Sequence, residues 1–349
     1  MSEEAEVLFE RRGGAGIITL NRPKALNALT LGMVRLIHPR LESWALDGDV
    51  RTVILEGAGE RALCAGGDIR VLHDWGRAGD PRLMEFYREE YRLNRYIKRY
   101  PKPYVALMDG IDMGGGVGLS VHGSLRVATE RLVFAMPETG IGLFPDVGGT
   151  FFLPRCPGAT GMYLALTGER LRAADAIYAG IADIFVPGDR LEALKATLAE
   201  GATPEDVTAA FAADAGAAPL ASLQEKIDRH FSAASLEAVL ASLNEAADGG
   251  DAWAKATLAT LAGKSPTSLL VTFSQMKAGA KLDFEACMQL EYRLTNRFME
   301  GHDFYEGVRA VVIDKDQKPR WQPARLADVP RADIEKCFAP LSRGELSFE

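Results

Sequence analysis

Apolar residues in the first half of the chain fall into short β-branched or aromatic runs, separated by longer stretches of helical period. Ile17–Leu20, Thr52–Leu55, Tyr104–Leu107 and Leu125–Ala128 have the pattern of buried strands. Between the first two, Leu29, Met33, Leu36, Ile37, Leu41 and Trp44 recur near a 3.6-residue period, which predicts an amphipathic helix over Leu29–Leu46. Pro39 inside it counts against a straight helix and predicts a kink or break. Leu83, Phe86, Tyr87, Tyr91 and Ile97 predict a second long helix over Pro81–Arg99. Strands interleaved with helices point to an α/β core.

After about Pro187 the strand signals thin out. Ser235–Ala246, Ala252–Ala262, Ser265–Met276 and Phe284–Met299 read as helices. The third opens on Ser265-Pro266, with serine as N-cap and proline at the first helical position. The division is thus an α/β core over residues 1–187 and a mostly helical region over 188–349. Gly188–Ala218, rich in Ala and Asp, reads as a loosely packed connection or an insertion. No internal repeat is visible.

Composition narrows the class. The chain has 349 residues, 47% hydrophobic and 25% charged, which excludes a disordered or fibrous protein. Its net charge of −8 gives no basic footprint for nucleic acid or an anionic membrane, although a local basic cluster could still bind a small anion. Cys64, Cys156, Cys287 and Cys337 are scattered, and the five histidines form no HExxH, so neither a disulfide framework nor a metal site is expected. The acidic N-terminus has no signal or transit pattern, and Val105–Val121 is too short to span a bilayer. These points predict a soluble cytoplasmic protein.

Several motifs fail. Gly263-Lys264-Ser265 resembles the end of a phosphate loop, but Leu258 stands where the first glycine belongs. Gly114–Gly118 contains no complete GxGxxG, and Gly118–Gly123 is one residue too long for a nucleophile elbow. Ser120 is therefore read as a helix residue. Two glycine-rich segments hold: Cys64-Ala65-Gly66-Gly67-Asp68-Ile69 and Met113-Gly114-Gly115-Gly116-Val117-Gly118. Each lies between a strand and a helix, where bare backbone N–H groups can face a ligand oxygen and two converging N–H groups make an oxyanion hole. Close helix–strand packing is the competing explanation. A third segment, Met136–Gly149, places Glu138 and Asp146 in an apolar Gly/Pro-rich loop. If buried, they suit acid–base or nucleophilic work; otherwise Glu138 braces a turn and Asp146 caps the next helix.

Together these segments resemble the crotonase (enoyl-CoA hydratase/isomerase) superfamily, with Asn21-Arg22-Pro23 and Leu26-Asn27-Ala28-Leu29 similar to its usual opening. Arg88-Glu89-Glu90-Tyr91, Met113–Gly118, Phe134–Gly149, Gly301–Ala310 and Asp314-Lys315-Asp316 extend the resemblance over nearly the whole chain. They sharpen it to the branch that hydrolyses 3-hydroxyisobutyryl-CoA. The resemblance implies an α/β spiral of ββα units with a helical C-terminal region, an acyl-CoA substrate, and no cofactor or metal, since CoA belongs to the substrate. A homo-oligomer is common in such families. By position, Gly67 and Gly115 form the oxyanion hole, Glu138 and Asp146 are catalytic, and Glu90 receives the substrate hydroxyl. A solvated helix face is the alternative for Glu90, beside Glu89.

The departures matter. Superfamily hydratases use two glutamates. One aligns with Glu138; the other would fall at Gly118, and the hydratases' loop glycine is Asp146 here. The resemblance therefore implies thioester hydrolysis, most specifically of 3-hydroxyisobutyryl-CoA in valine breakdown, with Glu138 as nucleophile or base. A hydratase or isomerase on another acyl-CoA is the rival enzyme. A catalytically silent acyl-CoA-binding protein is the rival of another class, although it predicts no acid pair.

Overall fold

The computed structural model describes residues 5–342 and 344–348. Strand β1 (Val7–Arg12) pairs antiparallel with β2 (Ala15–Leu20). Helix α1 (Leu31–Leu46) follows, and Pro39 lies within it rather than ending it. Strands then come in pairs: β3 (Thr52–Gly57) with β4 (Ala62–Cys64), β5 (Tyr104–Met108) with β6 (Ile111–Met113), and β7 (Leu125–Ala128) with β8 (Val133–Ala135). A last strand, β9, is Ile184–Phe185.

The first strand of each pair joins a six-stranded sheet ordered β1-β2-β3-β5-β7-β9. The second joins a three-stranded sheet ordered β4-β6-β8. Beyond the opening hairpin the pairings are parallel, so the chain must cross over between strands. Helices α2 (Ile69–Ala78) and α3 (Arg82–Lys98) lie between β4 and β5, and α4 (Gly115–Ser120) lies between β6 and β7. This is the expected spiral of ββα turns. The four strand runs read from sequence are β2, β3, β5 and β7. Their register aligns Ile17 with Ile54, Ile54 with Val105, and Val105 with Leu125. All five residues of β5 are buried, as a central parallel strand requires.

After β8 come α5 (Gly149–Phe152), α6 (Thr160–Thr167) and α7 (Ala173–Tyr178), then, beyond β9, α8 (Leu191–Glu200) and α9 (Pro204–Phe211). The expectation of a loose segment over 188–218 is corrected here. Leu191, Leu194 and Leu198 of α8 and Val207 and Phe211 of α9 join the core beneath Ile17, Ile54 and Val105. Their three- and four-residue spacing supplies an apolar stripe that the Ala/Asp composition masked. Thr203 and Asp206 close a reciprocal capping box at the start of α9.

The helical region contains α10 (Pro219–Phe231), α11 (Leu236–Asp248), α12 (Ala252–Ala262), α13 (Pro266–Gly279), α14 (Phe284–Met299), α15 (Asp303–Val308) and α16 (Arg331–Phe338). Ser235, Asp251, Ser265 and Asp283 each cap a helix through a side-chain oxygen, so Ser265 serves as read from sequence. Among the described residues no helix is long and apolar enough to cross a membrane.

Contacts divide the chain into two units that interleave in sequence. One holds the residues up to Asp68 with Glu89–Ala135 and Arg170–Pro219, and so contains both sheets. The other holds Ile69–Arg88, Met136–Glu169 and the residues from Leu220 on.

Candidate active site

In the first unit, β4 ends at Cys64 and the chain turns at Gly66, whose φ of +107° strains any side chain. The Gly67 peptide is then fixed by its neighbours. Leu29 N donates to Gly66 O at 2.8 Å, and Asp68 N donates to Leu29 O at 2.9 Å. Gly114, at φ +50°, turns the chain from β6 into α4 and leaves Gly115 at the first helical position, where an amide has no acceptor within its own helix. A Cβ on Gly115 would lie 3.2 Å from Gly67 N and 2.5 Å from Glu90 Oε1. Gly67, Gly115 and Glu90, far apart in sequence, are thus brought together. The packing explanation holds next door: a Cβ on Gly116 would meet Cys64 O at 2.4 Å.

Glu90 is only 2% exposed, which removes the solvated-face alternative. Glu89 points the other way and pairs with Arg35 at 2.6 Å. Ser120, at the end of α4, donates to Asp112 Oδ2 at 2.6 Å, tying that helix to β6. Burial pushes the Asp112 carboxyl up to about 7, against the pull of the Ser120 hydroxyl.

In the second unit, Glu138 opens a short 3-10 turn that ends at Gly142, at φ +71°. Side chains cannot replace hydrogen here, because a Cβ on Gly142 would meet Asp303 O at 2.2 Å. Glu138 is 4% exposed, and its Oε2 has no hydrogen-bond partner within the protein. Burial raises its carboxyl well above the ordinary range, and the Asp146 charge adds to this. The ammonium of Lys264 works in the opposite direction. Burial in turn lowers the Lys264 ammonium, which the Glu138 charge supports.

Asp146 is also buried. It is followed by Val147 at φ +48° and Gly148 at φ +92°. The amides after it are taken by a residue from α14: Glu291 Oε2 accepts from Gly148 N at 2.8 Å and Oε1 from Thr150 N at 2.9 Å. Gln275 of α13 donates to Pro145 O at 2.6 Å and to Thr150 Oγ1 at 2.7 Å. Burial pushes the Glu291 carboxyl up to about 8, while its hydrogen bonds pull it down. The sequence reading missed Glu291, Gln275 and Lys264. A signal for Glu291 existed: it falls three or four residues from Cys287, Met288, Leu294 and Thr295, on the buried stripe of its helix. Among the described residues no three His, Cys, Asp or Glu side chains are grouped to hold a metal ion.

Comparison with known proteins places this geometry in context. The family model described as "Enoyl-CoA hydratase/isomerase" matches residues 15–338. A Danio rerio protein named "3-hydroxyisobutyryl-CoA hydrolase, mitochondrial" is 51% identical, over 100% of this chain and 94% of its own length. The Homo sapiens protein of that name is 46% identical, over 98% of this chain and 91% of its own. A solved structure described as a carnitinyl-CoA dehydratase from Mycobacterium thermoresistibile superposes with a TM-score of 0.93 at 44% identity, covering 99% of both chains. The relatives' names overturn the cytoplasmic expectation, since they are called mitochondrial. That expectation rested on the absence of a signal or transit pattern and of a bilayer-length apolar stretch, which are sequence cues and not physical properties of the fold.

Proposed function

The chain belongs to the enoyl-CoA hydratase/isomerase family, in its 3-hydroxyisobutyryl-CoA hydrolase branch, and we propose that Glu138 and Asp146 carry its hydrolytic chemistry. It is an acyl-CoA thioester hydrolase that cleaves 3-hydroxyisobutyryl-CoA to 3-hydroxyisobutyrate and CoA. We further infer the residue roles and a place in valine breakdown.

The observation that carries it is Glu138. This carboxyl is removed from water, raised in pKa, and has one oxygen without a hydrogen-bond partner in the protein. A carboxyl raised in this way binds its proton more tightly and is a stronger base, which suits proton transfer or attack. In the proposed reaction the Gly67 and Gly115 amides hold the thioester oxygen as it becomes an oxyanion, a stabilisation of about 2.7–4 kcal/mol per donor. Glu138 delivers the new oxygen, either by its own attack through a mixed anhydride or by deprotonating water. The C–S bond breaks and the thiolate leaves and takes a proton; in the water route the new C–O bond completes the acid, and in the anhydride route a water then opens the anhydride, giving the acid and restoring Glu138. Asp146 orients the water or supplies that proton. Glu90 accepts from the 3-hydroxyl. The proposed reaction requires no metal or cofactor.

The description of the dehydratase structure favours a second reading, reversible hydration. That chemistry needs a second acid on α4, and Gly118 stands there, buried. Replacement Glu138→Gln tests the assignment. The amide keeps the shape but is neither base nor nucleophile, so acyl-CoA binding should persist while thiol release is lost. Near wild-type release would remove Glu138 from the mechanism. Single turnover in oxygen-18 water can establish the anhydride route. Water activation always labels the product, whereas an anhydride opened at the protein carbonyl releases it unlabelled.

A further inference from the structure

We infer that Glu291 is a positioning residue for Asp146, acting through the Gly148 and Thr150 amides; this rests on the catalytic reading of Asp146 given above. Glu291 is 0% exposed at the middle of α14, where its helix stripe calls for an apolar residue. A carboxyl buried that fully is costly unless its oxygens are bonded. Both oxygens are committed, one to each amide, at 2.8 and 2.9 Å. The bonded peptides begin two residues after Asp146.

Between Asp146 and Gly148 stands Val147, at φ +48°. A β-branched residue there is a genuine outlier, because its Cβ crowds the backbone. Such conformations persist only where the surroundings over-determine them, and they cluster at functional sites. Glu291 fixes the chain immediately after the strained residue. Gln275 fixes it immediately before Asp146, through Pro145 O. Asp146 is therefore held on both flanks by side chains that arrive from two different helices. Capping of α5 alone does not account for this. That helix has four residues, and a local Ser, Thr or Asp would cap it at no burial cost.

Two N–H donors face the two side-chain oxygens here, so an acid is the matching side chain. A glutamine keeps one acceptor and turns an NH2 toward the other N–H. The loss falls on the geometry of Asp146 and not on substrate binding. Displacing a reacting group by about 1 Å costs on the order of 100-fold in rate.

The test is a double-mutant cycle on the full chain, with 3-hydroxyisobutyryl-CoA and thiol detection under single turnover. Glu291→Gln should lower the rate of the chemical step about 10–100-fold and leave KM within about twofold. Combined with Asp146→Asn, it should add less than about a further twofold, since a residue acting through Asp146 has nothing left to position. A wild-type rate for Glu291→Gln, or the same fold-loss in both backgrounds, overturns the inference. A wild-type rate for Asp146→Asn instead overturns the catalytic reading of Asp146. Should Glu291→Gln not fold, it is repeated with Val147→Gly, where glycine adopts the positive φ without strain. That pair should fold and react at least about tenfold more slowly than Val147→Gly alone; equal rates overturn the inference.

Discussion

A Cβ built on Gly115 would lie 2.5 Å from Oε1 of Glu90. The bare α-carbon at 115 is therefore what lets a buried carboxylate approach the amide pair. Gly115 is not among the positive-φ glycines, so alanine can adopt its backbone. Gly115→Ala should fold with a Tm near that of wild type, because the far end of the Glu90 side chain can swing aside. It should lower kcat/KM by at least about tenfold, as Glu90 and the Gly67 amide are pushed out of place. Thiol release and thermal melting measured side by side check this. Full activity in a folded variant would detach the cluster from catalysis.

Glu90→Ala should discriminate between substrates. If Glu90 accepts from the 3-hydroxyl, its removal costs roughly 1.5–3 kcal/mol of charged hydrogen bonding on the hydroxylated substrate. Isobutyryl-CoA, which lacks the hydroxyl, should lose little. Comparing kcat/KM for the two thioesters checks it, and equal losses would make Glu90 structural.

Asp146→Gly restores the residue that hydratases place in this loop, yet adds no acid at Gly118. It should abolish hydrolysis without creating hydration. Adding Gly118→Glu rebuilds the hydratase pair, and weak hydration of an enoyl-CoA is the expected gain. Absorbance of the alkene and release of free CoA report the two activities separately. Hydrolysis by Asp146→Gly at full rate would leave Glu138 and the amides sufficient alone.

Asp112 gives a prediction for stability. Its folded carboxyl is raised to about 7 from an ordinary value of about 3.8. Its contribution is therefore complete below about 3.8 and is lost as pH rises through about 7, because the buried charged form is the penalised one. Asp112→Asn does not titrate. Relative to that variant, wild type should lose stability across this window. Parallel denaturation curves at pH 4 and pH 8 measure the difference, and a difference independent of pH would contradict the raised carboxyl.

Four strands of the six-stranded sheet, β2, β3, β5 and β7, were legible because their apolar runs are long enough to stand out, whereas β1 and the two-residue β9 were not. Strands β4, β6 and β8 have three residues each, too few to show a period, so the second sheet could be reached only through resemblance. The glycine segments and the Glu138/Asp146 loop were legible as local clusters. Glu291 was not: a glutamate in an amphipathic helix ordinarily faces water, and its partners lie 143 and 141 positions away. Long-range satisfaction of backbone amides leaves no local trace. Glu90 and Glu89 show the same limit, since only packing decides which of two adjacent acids turns inward.

That separation of 143 positions between Glu291 and Gly148 also sets a clock. A ribosome adding about 5–20 residues per second needs roughly 7–30 s to pass from one to the other. During that interval a nascent chain already carries both acids of the loop but not the carboxylate that holds their turn. The bonds from Gly148 N and Thr150 N to Glu291 can form only after α14 has left the exit tunnel. Ribosome-bound chains stalled before Glu291 should therefore cleave thioesters at least about tenfold more slowly than the finished chain, even with every glycine of the amide pair in place. The order of synthesis thus delays full hydrolytic power until the helical region has been made.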